Sequence, residues 1–280
     1  MIAGVRASVL WLTVGLLATA WSYGTTLVAM SERWLADPQY SHGWLVPLFS
    51  LYLLIHRRNL LAADTFQPRL WGLGIVALAL AIRGFAVAIY QPWLDAASLL
   101  ICVAGLFATA GGVAGLRWAW PSIIMLGFMI PLPFRVQFLL GSTLQTLATN
   151  ASTYLLQSFG VPAVAEGNVI LLSQSRIGIV EACNGLSMLL TFFALAAGFV
   201  LLLERKWWYG VILIASAAPI AVAANVIRIT VTGMLYEAEQ NRLARIVFHD
   251  LAGWLMMPLG VSMLALVVWY LDRVLTIRQA

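Results

Sequence analysis

The stretch Cys183-Asn-Gly-Leu-Ser-Met-Leu-Leu-Thr-Phe-Phe-Ala-Leu-Ala-Ala-Gly-Phe-Val-Leu-Leu-Leu203 carries no charged side chain. As a helix it is about 30 Å long, the thickness of a bilayer's hydrocarbon core. Similar apolar runs extend from it in both directions. Toward the C-terminus they occupy 208–235 and 253–275. Toward the N-terminus they occupy 7–30, 43–55, 71–90, 94–115 and 118–134. The run at 43–55 is short, and the run at 118–134 contains Pro131 and Pro133. Arg6 before the first run resembles the start of a secretory signal, but the run is long and lacks a clear small-residue cleavage site, so it reads as an uncleaved span. The expectation is an all-α polytopic membrane protein with about eight transmembrane helices, forming one domain over 1–280. No internal repeat or linker interrupts it.

Composition agrees. The chain is 62% hydrophobic and only 10% charged, against about 25% charged in a soluble domain. A water-soluble enzyme, a disordered scaffold and a nucleic-acid-binding protein are therefore excluded. The net charge of +5 reads as base retained on the cytoplasmic side. With the N-terminus inside, the cytoplasmic segments hold Arg6, Arg57, Arg58, Arg69, Arg117, Arg205, Lys206, Arg273 and Arg278. The opposite side holds Arg33, Arg135, Arg176, Arg242 and Arg245, spread over longer segments. Both termini are expected in the cytoplasm.

Residues 137–159 alternate apolar side chains with Ser, Thr, Asn and Gln at helical spacing, which predicts an amphipathic helix ended by Gly160 and Pro162. The runs 168–173 and 176–180 flank a polar turn and predict a small β-hairpin. Both are expected on the non-cytoplasmic side.

Ionisable and thiol groups at membrane depth are the residues that can carry chemistry. Cys183 opens a span, where the helix N-terminus favours thiolate; the alternative is a small buried hydrophobe, which suits Cys102 deep in its own run. Arg228 lies within the seventh span with Asn225 one turn earlier on the same face. That pair is either an inward-facing polar site or a snorkelling cation with a neighbour. Arg83 has no nearby companion and reads as pairing between helices or snorkelling. His249, before the last span, could shuttle a proton or share a helix cap with Asp250. His42, before the second span, could bind substrate, brace the site or simply sit at the interface. The charge bias, which counts none of these residues, places Cys183, Arg228 and His249 on the same outer side. A thiol, a base and a fixed cation are the parts needed for acyl transfer. No metal-ligand motif and no glycine-rich phosphate loop is present, and no cofactor is implied.

Four short motifs occur in order: Tyr40-Ser-His-Gly43-Trp-Leu-Val-Pro47, Glu181-Ala-Cys-Asn-Gly-Leu186, Asn225-Val-Ile-Arg-Ile229 and His249-Asp250 followed by Gly253. They resemble the signature set of the exosortase/archaeosortase family over roughly 40–258. The resemblance implies a membrane cysteine protease or transpeptidase of the inner membrane, with sortase-like chemistry on an unrelated fold. It implies Cys183, Arg228 and His249 as catalytic residues, with His42, Glu181, Asn184 and Asn225 supporting or binding substrate. Its substrates would be exported proteins with a PEP-CTERM-type tail: a short motif, a hydrophobic span and a basic tip, often in organisms that make exopolysaccharide. The tail would be cut near the outer face and the new C-terminus passed to an acceptor. Asn184 stands where Ser is more usual, which leaves the subfamily and tail motif open. Competing readings are a transporter or flippase and a non-catalytic subunit of an envelope or exopolysaccharide export system. The absence of a repeat and of paired broken spans weighs against a transporter.

Overall fold

The computed structural model describes residues 2–60, 67–179, 185–203, 206–247 and 251–277. It divides into two compact units, Met1–Pro133 and Phe134–Ala280.

The first unit begins with α1 (Ile2–Ser22) and α2 (Gly24–Ala36). The expected first span is thus a bent pair, turned by 68°. Tyr23 sits at the bend, fully buried, with its hydroxyl 2.9 Å from Ser98 Oγ. A 3-10 helix (Pro38–Trp44) leads into α3 (Leu45–His56). At 12 residues, α3 is about 18 Å long, shorter than the span expected there. Helices α4 (Trp71–Ala88) and α5 (Pro92–Leu126) follow.

Helix α5 corrects the sequence reading of the fourth and fifth spans. Their boundary was expected at 116–117, beside Arg117. The break lies at Gly112, whose φ of 59° and ψ of −142° are non-helical, a conformation open to glycine. In an unbroken helix Leu100 and Gly127 would be about 40 Å apart. Instead, Leu100 Cδ1 is 3.7 Å from where a Gly127 Cβ would stand. The rings of Phe107 and Trp118 are 5.6 Å apart. The chain therefore reverses at Gly112, and α5 is a helical hairpin.

The second unit opens with α6 (Phe134–Ser158), the expected amphipathic helix. Gly160, at φ 80°, and the bond from Val161 N to Leu156 O close it. A three-stranded antiparallel sheet follows: β1 (Val164–Glu166), β2 (Val169–Leu171) and β3 (Arg176–Gly178), in that order. The hairpin expected from sequence is β2–β3. The third strand, β1, is exposed along its length, so it pairs through its backbone and leaves no alternating pattern to read. Ile170, Leu172, Ile177 and Ile179 turn inward onto Ala148 and Leu156 of α6.

Three long helices complete the unit: α7 (Leu186–Leu203), α8 (Trp207–Glu237) and, after the short α9 (Asn241–Arg245), α10 (Leu251–Ile277). Among the described residues four stretches are long and apolar enough to cross a membrane: Trp71–Ala88, Pro92–Met129, Leu186–Leu203 and Trp207–Glu237. The α1–α2 pair makes a fifth if it counts as one span. The all-α membrane architecture follows from these.

Candidate functional site

In the second unit, glycines record how the helices meet. A Cβ on Gly210 of α8 would stand 2.8 Å from Val200 of α7, and one on Gly185 would stand 3.1 Å from Asn225 Nδ2. Fifteen residues separate Gly185 from Val200, and fifteen separate Gly210 from Asn225. Helices α7 and α8 therefore run antiparallel in register, and Asn225 lies level with the start of α7. A Cβ on Gly260 of α10 would collide with the Phe192 ring, and the Tyr209 hydroxyl donates to Val268 O at 3.4 Å. Along 192–200 of α7, then, α10 runs from 260 toward 268 in the same sense. The two helices start within about one turn of the same level.

Helix α8 presents Asn225 and Arg228 at that level. Both are buried, Arg228 at 7% exposure. Arg228 donates from a terminal guanidinium nitrogen to Asn225 Oδ1 at 2.7 Å. Its Nε is buried without a hydrogen-bond partner, and among the described residues no carboxylate pairs with it. Arg228 lies about 31 Å along the helix from Trp207, one hydrocarbon thickness. One turn on, Thr232 is fully buried with its hydroxyl unpartnered, as is that of Thr153 on α6. A cation with vacant donors in a desolvated wall can hold a carbonyl oxygen, a developing oxyanion or a carboxylate.

Gly185, two residues beyond Cys183 in the Glu181–Leu186 motif, meets this pair. Its φ is 61°, it is buried, and Leu144 of α6 lies 3.7 Å from its Cβ position. Its carbonyl accepts the first helical bond of α7 from Leu189 N at 2.9 Å. The helix therefore starts at Leu186, not at Cys183 as the sequence suggested. Gly185 was quoted within the box but not singled out. The signal was present, since Asn-Gly before an apolar run marks a turn that needs positive φ.

The sheet is anchored nearby. Glu237, the last residue of α8, accepts from Ser173 Oγ at 2.7 Å and Ser173 N at 3.4 Å. This fixes the β2–β3 turn.

Of the residues selected from sequence, Asn225 and Arg228 are brought together. Glu181, Cys183, Asn184 and His249 lie outside the described residues. His42 belongs to the first unit. Its ring Nε2 is 3.2 Å from Phe128 O; the carbonyl can only accept, so Nε2 carries the proton. Burial, the largest effect, holds its pKa below the ordinary imidazole value, against the opposing pull of the Phe128 and Gln39 carbonyls. Tyr40 of the same motif accepts from Leu132 N at 3.1 Å, and Trp34 donates to Met129 O at 2.9 Å. Here the motif clasps the segment that leaves α5. Cys102 is buried, 3.6 Å from Thr19 Oγ1, as a core thiol. Among the described residues no group of His, Cys, Asp and Glu could hold a metal.

No individually curated protein and no solved structure matches the chain. A family model described as transmembrane exosortase (Exosortase_EpsH) matches residues 34–268. The chain therefore belongs to the transmembrane exosortases, a family of membrane cysteine transpeptidases.

Proposed function

We propose that this protein cleaves the C-terminal sorting tails of exported proteins at the outer face of the inner membrane and passes the new C-terminus to an acceptor. Cys183 is the nucleophile, and His249 takes and returns the proton. Arg228 holds the carbonyl oxygen as charge develops on it. Attack by the thiolate forms a thioester and breaks the peptide bond. His249 protonates the departing amine, and an acceptor nucleophile then releases the enzyme. Asn225 orients the guanidinium; Glu181 and Asn184 flank the nucleophile.

The observation that carries this reading is the contact of Gly185 with Asn225, which in turn holds Arg228. It supports the start of the sixth span lying at the level of the amide that holds the cation. The matched starts of α7 and α10 support His249 approaching the same level, since it precedes α10 by two residues.

The substrate is a membrane-anchored protein with a PEP-CTERM-like tail: motif, hydrophobic span and basic tip. The tail lies in the bilayer with its tip in the cytoplasm. The chain crosses the membrane eight times with both termini inside. The two arms of α5 count as separate passes, and the sheet lies outside. The test is to express the protein with a secreted reporter carrying such a tail and read the reporter's mature C-terminus by mass spectrometry. The account expects a cut on the outer side of the hydrophobic span. A reporter that keeps its whole tail while a native membrane fraction processes it would refute the assignment.

A further inference from the structure

The first unit has a basic end with a cavity in it. The cavity, of about 340 Å³, lies where α4 begins and α5 reverses, and is lined by Gln67, Arg69, Trp71, the backbone of Gly111 and Gly112, and Ala114. Arg69 N donates to Thr109 O at 3.0 Å, and the Arg69 stem lies 3.0 Å from where a Gly112 Cβ would stand. This fixes the side chain at the cavity mouth. Among the described residues the Arg69 guanidinium makes one long contact, 3.5 Å to Gln67 Oε1, and its other donors meet no described partner.

More base gathers at this end. Trp118 Nε1 donates to Leu54 O at 2.9 Å, and the Arg57 guanidinium lies 5.9 Å from the Trp120 ring. The end of α3, with Arg57 and Arg58, is thereby held beside the second arm of α5, which carries Arg117. The described carboxylates of the unit are Glu32, Asp37 and Asp95, and they lie at its other end. Asp95 is in the first turn of α5, about 25 Å of helix from Gly112. Asp37 caps the 3-10 helix whose His42 meets Phe128. Asp64 lies outside the described residues.

The apolar part of the lining is exposed, Val113 at 69% and Trp71 at 46%, and Leu70, at 82%, lies between Arg69 and Trp71 in the chain. A guanidinium with vacant donors suits a phosphate oxygen. Exposed aliphatic and tryptophan side chains beside it suit acyl chains and the membrane interface. A free anion would have no use for such a lining. We infer that this cavity binds the phosphate headgroup of an anionic phospholipid, with Arg69 as its principal ligand and the acyl chains lying over Leu70 and Val113. Its cytoplasmic placement rests on the proposed topology; the site does not depend on the cysteine chemistry, and binding is read without cleavage.

The full-length protein in detergent is titrated with phosphatidylglycerol, phosphatidylcholine or inorganic phosphate, and bound lipid is counted by native mass spectrometry. Phosphatidylglycerol should bind at least about fivefold more tightly than phosphatidylcholine. Arg69→Gln should remove that preference, and so should Ala114→Phe, which fills the cavity. Arg58→Gln, at the same end but outside the cavity, should keep it. Thermal unfolding in phosphatidylcholine checks that each variant folds; if Ala114→Phe does not, Arg69→Gln against Arg58→Gln decides. Three results would overturn the inference: equal binding of the two lipids, equal losses in the Arg58 and Arg69 variants, or displacement of the lipid by equimolar inorganic phosphate.

Discussion

Arg83 and Arg228 are the two arginines set inside apolar spans, one in each unit, and they are held in opposite ways. Arg83 is saturated. It lies 3.4 Å from Asp95, donates to Ser22 Oγ and Ser22 O, and its guanidinium carbon lies 4.0 Å from the centre of the Tyr23 ring. Thr26 donates to the second oxygen of Asp95 at 2.6 Å. The cluster ties α1, α2, α4 and α5 together at the bend. Arg228 is more deeply buried, yet among the described residues it bonds Asn225 and keeps an Nε without a partner. Burying a charge is costly unless partners replace water. The first arginine meets that cost within the fold. Among the described residues the second does not, and in the proposed function that separates a structural cation from one that meets substrate.

The comparison is broken most readily by exchanging the two residues for lysine. A lysine keeps the charge but not the planar fork of donors. Arg228→Lys should lower cleavage by about 10²–10³-fold, the range for removing an oxyanion donor, with thermal stability little changed. Arg83→Lys should retain cleavage. Arg83→Ala should destabilise the protein by about 3–5 kcal/mol, because Asp95 is left part-buried and unpaired, as read by thermal unfolding. If the lysine at 228 cleaves normally and the lysine at 83 does not, the roles are reversed.

A smaller effect is expected at Gly185. Alanine there meets positive φ and the Asn225 amide at 3.1 Å. Gly185→Ala should therefore slow cleavage by about tenfold, a cost of about 1–2 kcal/mol, while Gly178→Ala, in open space, should not. Equal rates for the two variants would detach the turn from the site.

The smallest effect sharpens the contrast between units. The lowered pKa of His42 means that the unfolded chain takes up its proton first as pH falls. The stability His42 contributes is present above about pH 6.5, the unfolded value, and is lost as pH drops toward the folded one. Thermal stability should fall as the pH drops below about 6.5, and His42→Gln should flatten that slope. An unchanged slope would mean that His42 is not the group responsible.

Much of this was readable in the sequence and some was not, for identifiable reasons. The apolar runs and the helix over α6 were legible because burial imposes their period. Asn225 and Arg228 were legible as a pair because three residues is one helical turn. The reversal of α5 was misplaced because Arg117 looked like a loop residue, whereas the chain turns at a glycine inside an apolar run. Strand β1 was missed because its side chains face solvent. The partner of Arg83 was invisible because Asp95 comes from another helix, twelve residues on. The level match of α7, α8 and α10 depends on tertiary contacts, Phe192 on Gly260 among them, that no local pattern encodes.

The central claim is that the Cys183 thiol, and not the core thiol of Cys102, forms the bond to substrate. Single variants Cys183→Ala and Cys102→Ala are expressed with a secreted reporter bearing a motif, span and basic tip, and precursor and product are separated by gel. Cys102→Ala should process the reporter as wild type does, and Cys183→Ala should accumulate intact precursor although the protein folds and inserts. Processing by Cys183→Ala at the wild-type rate would contradict the account.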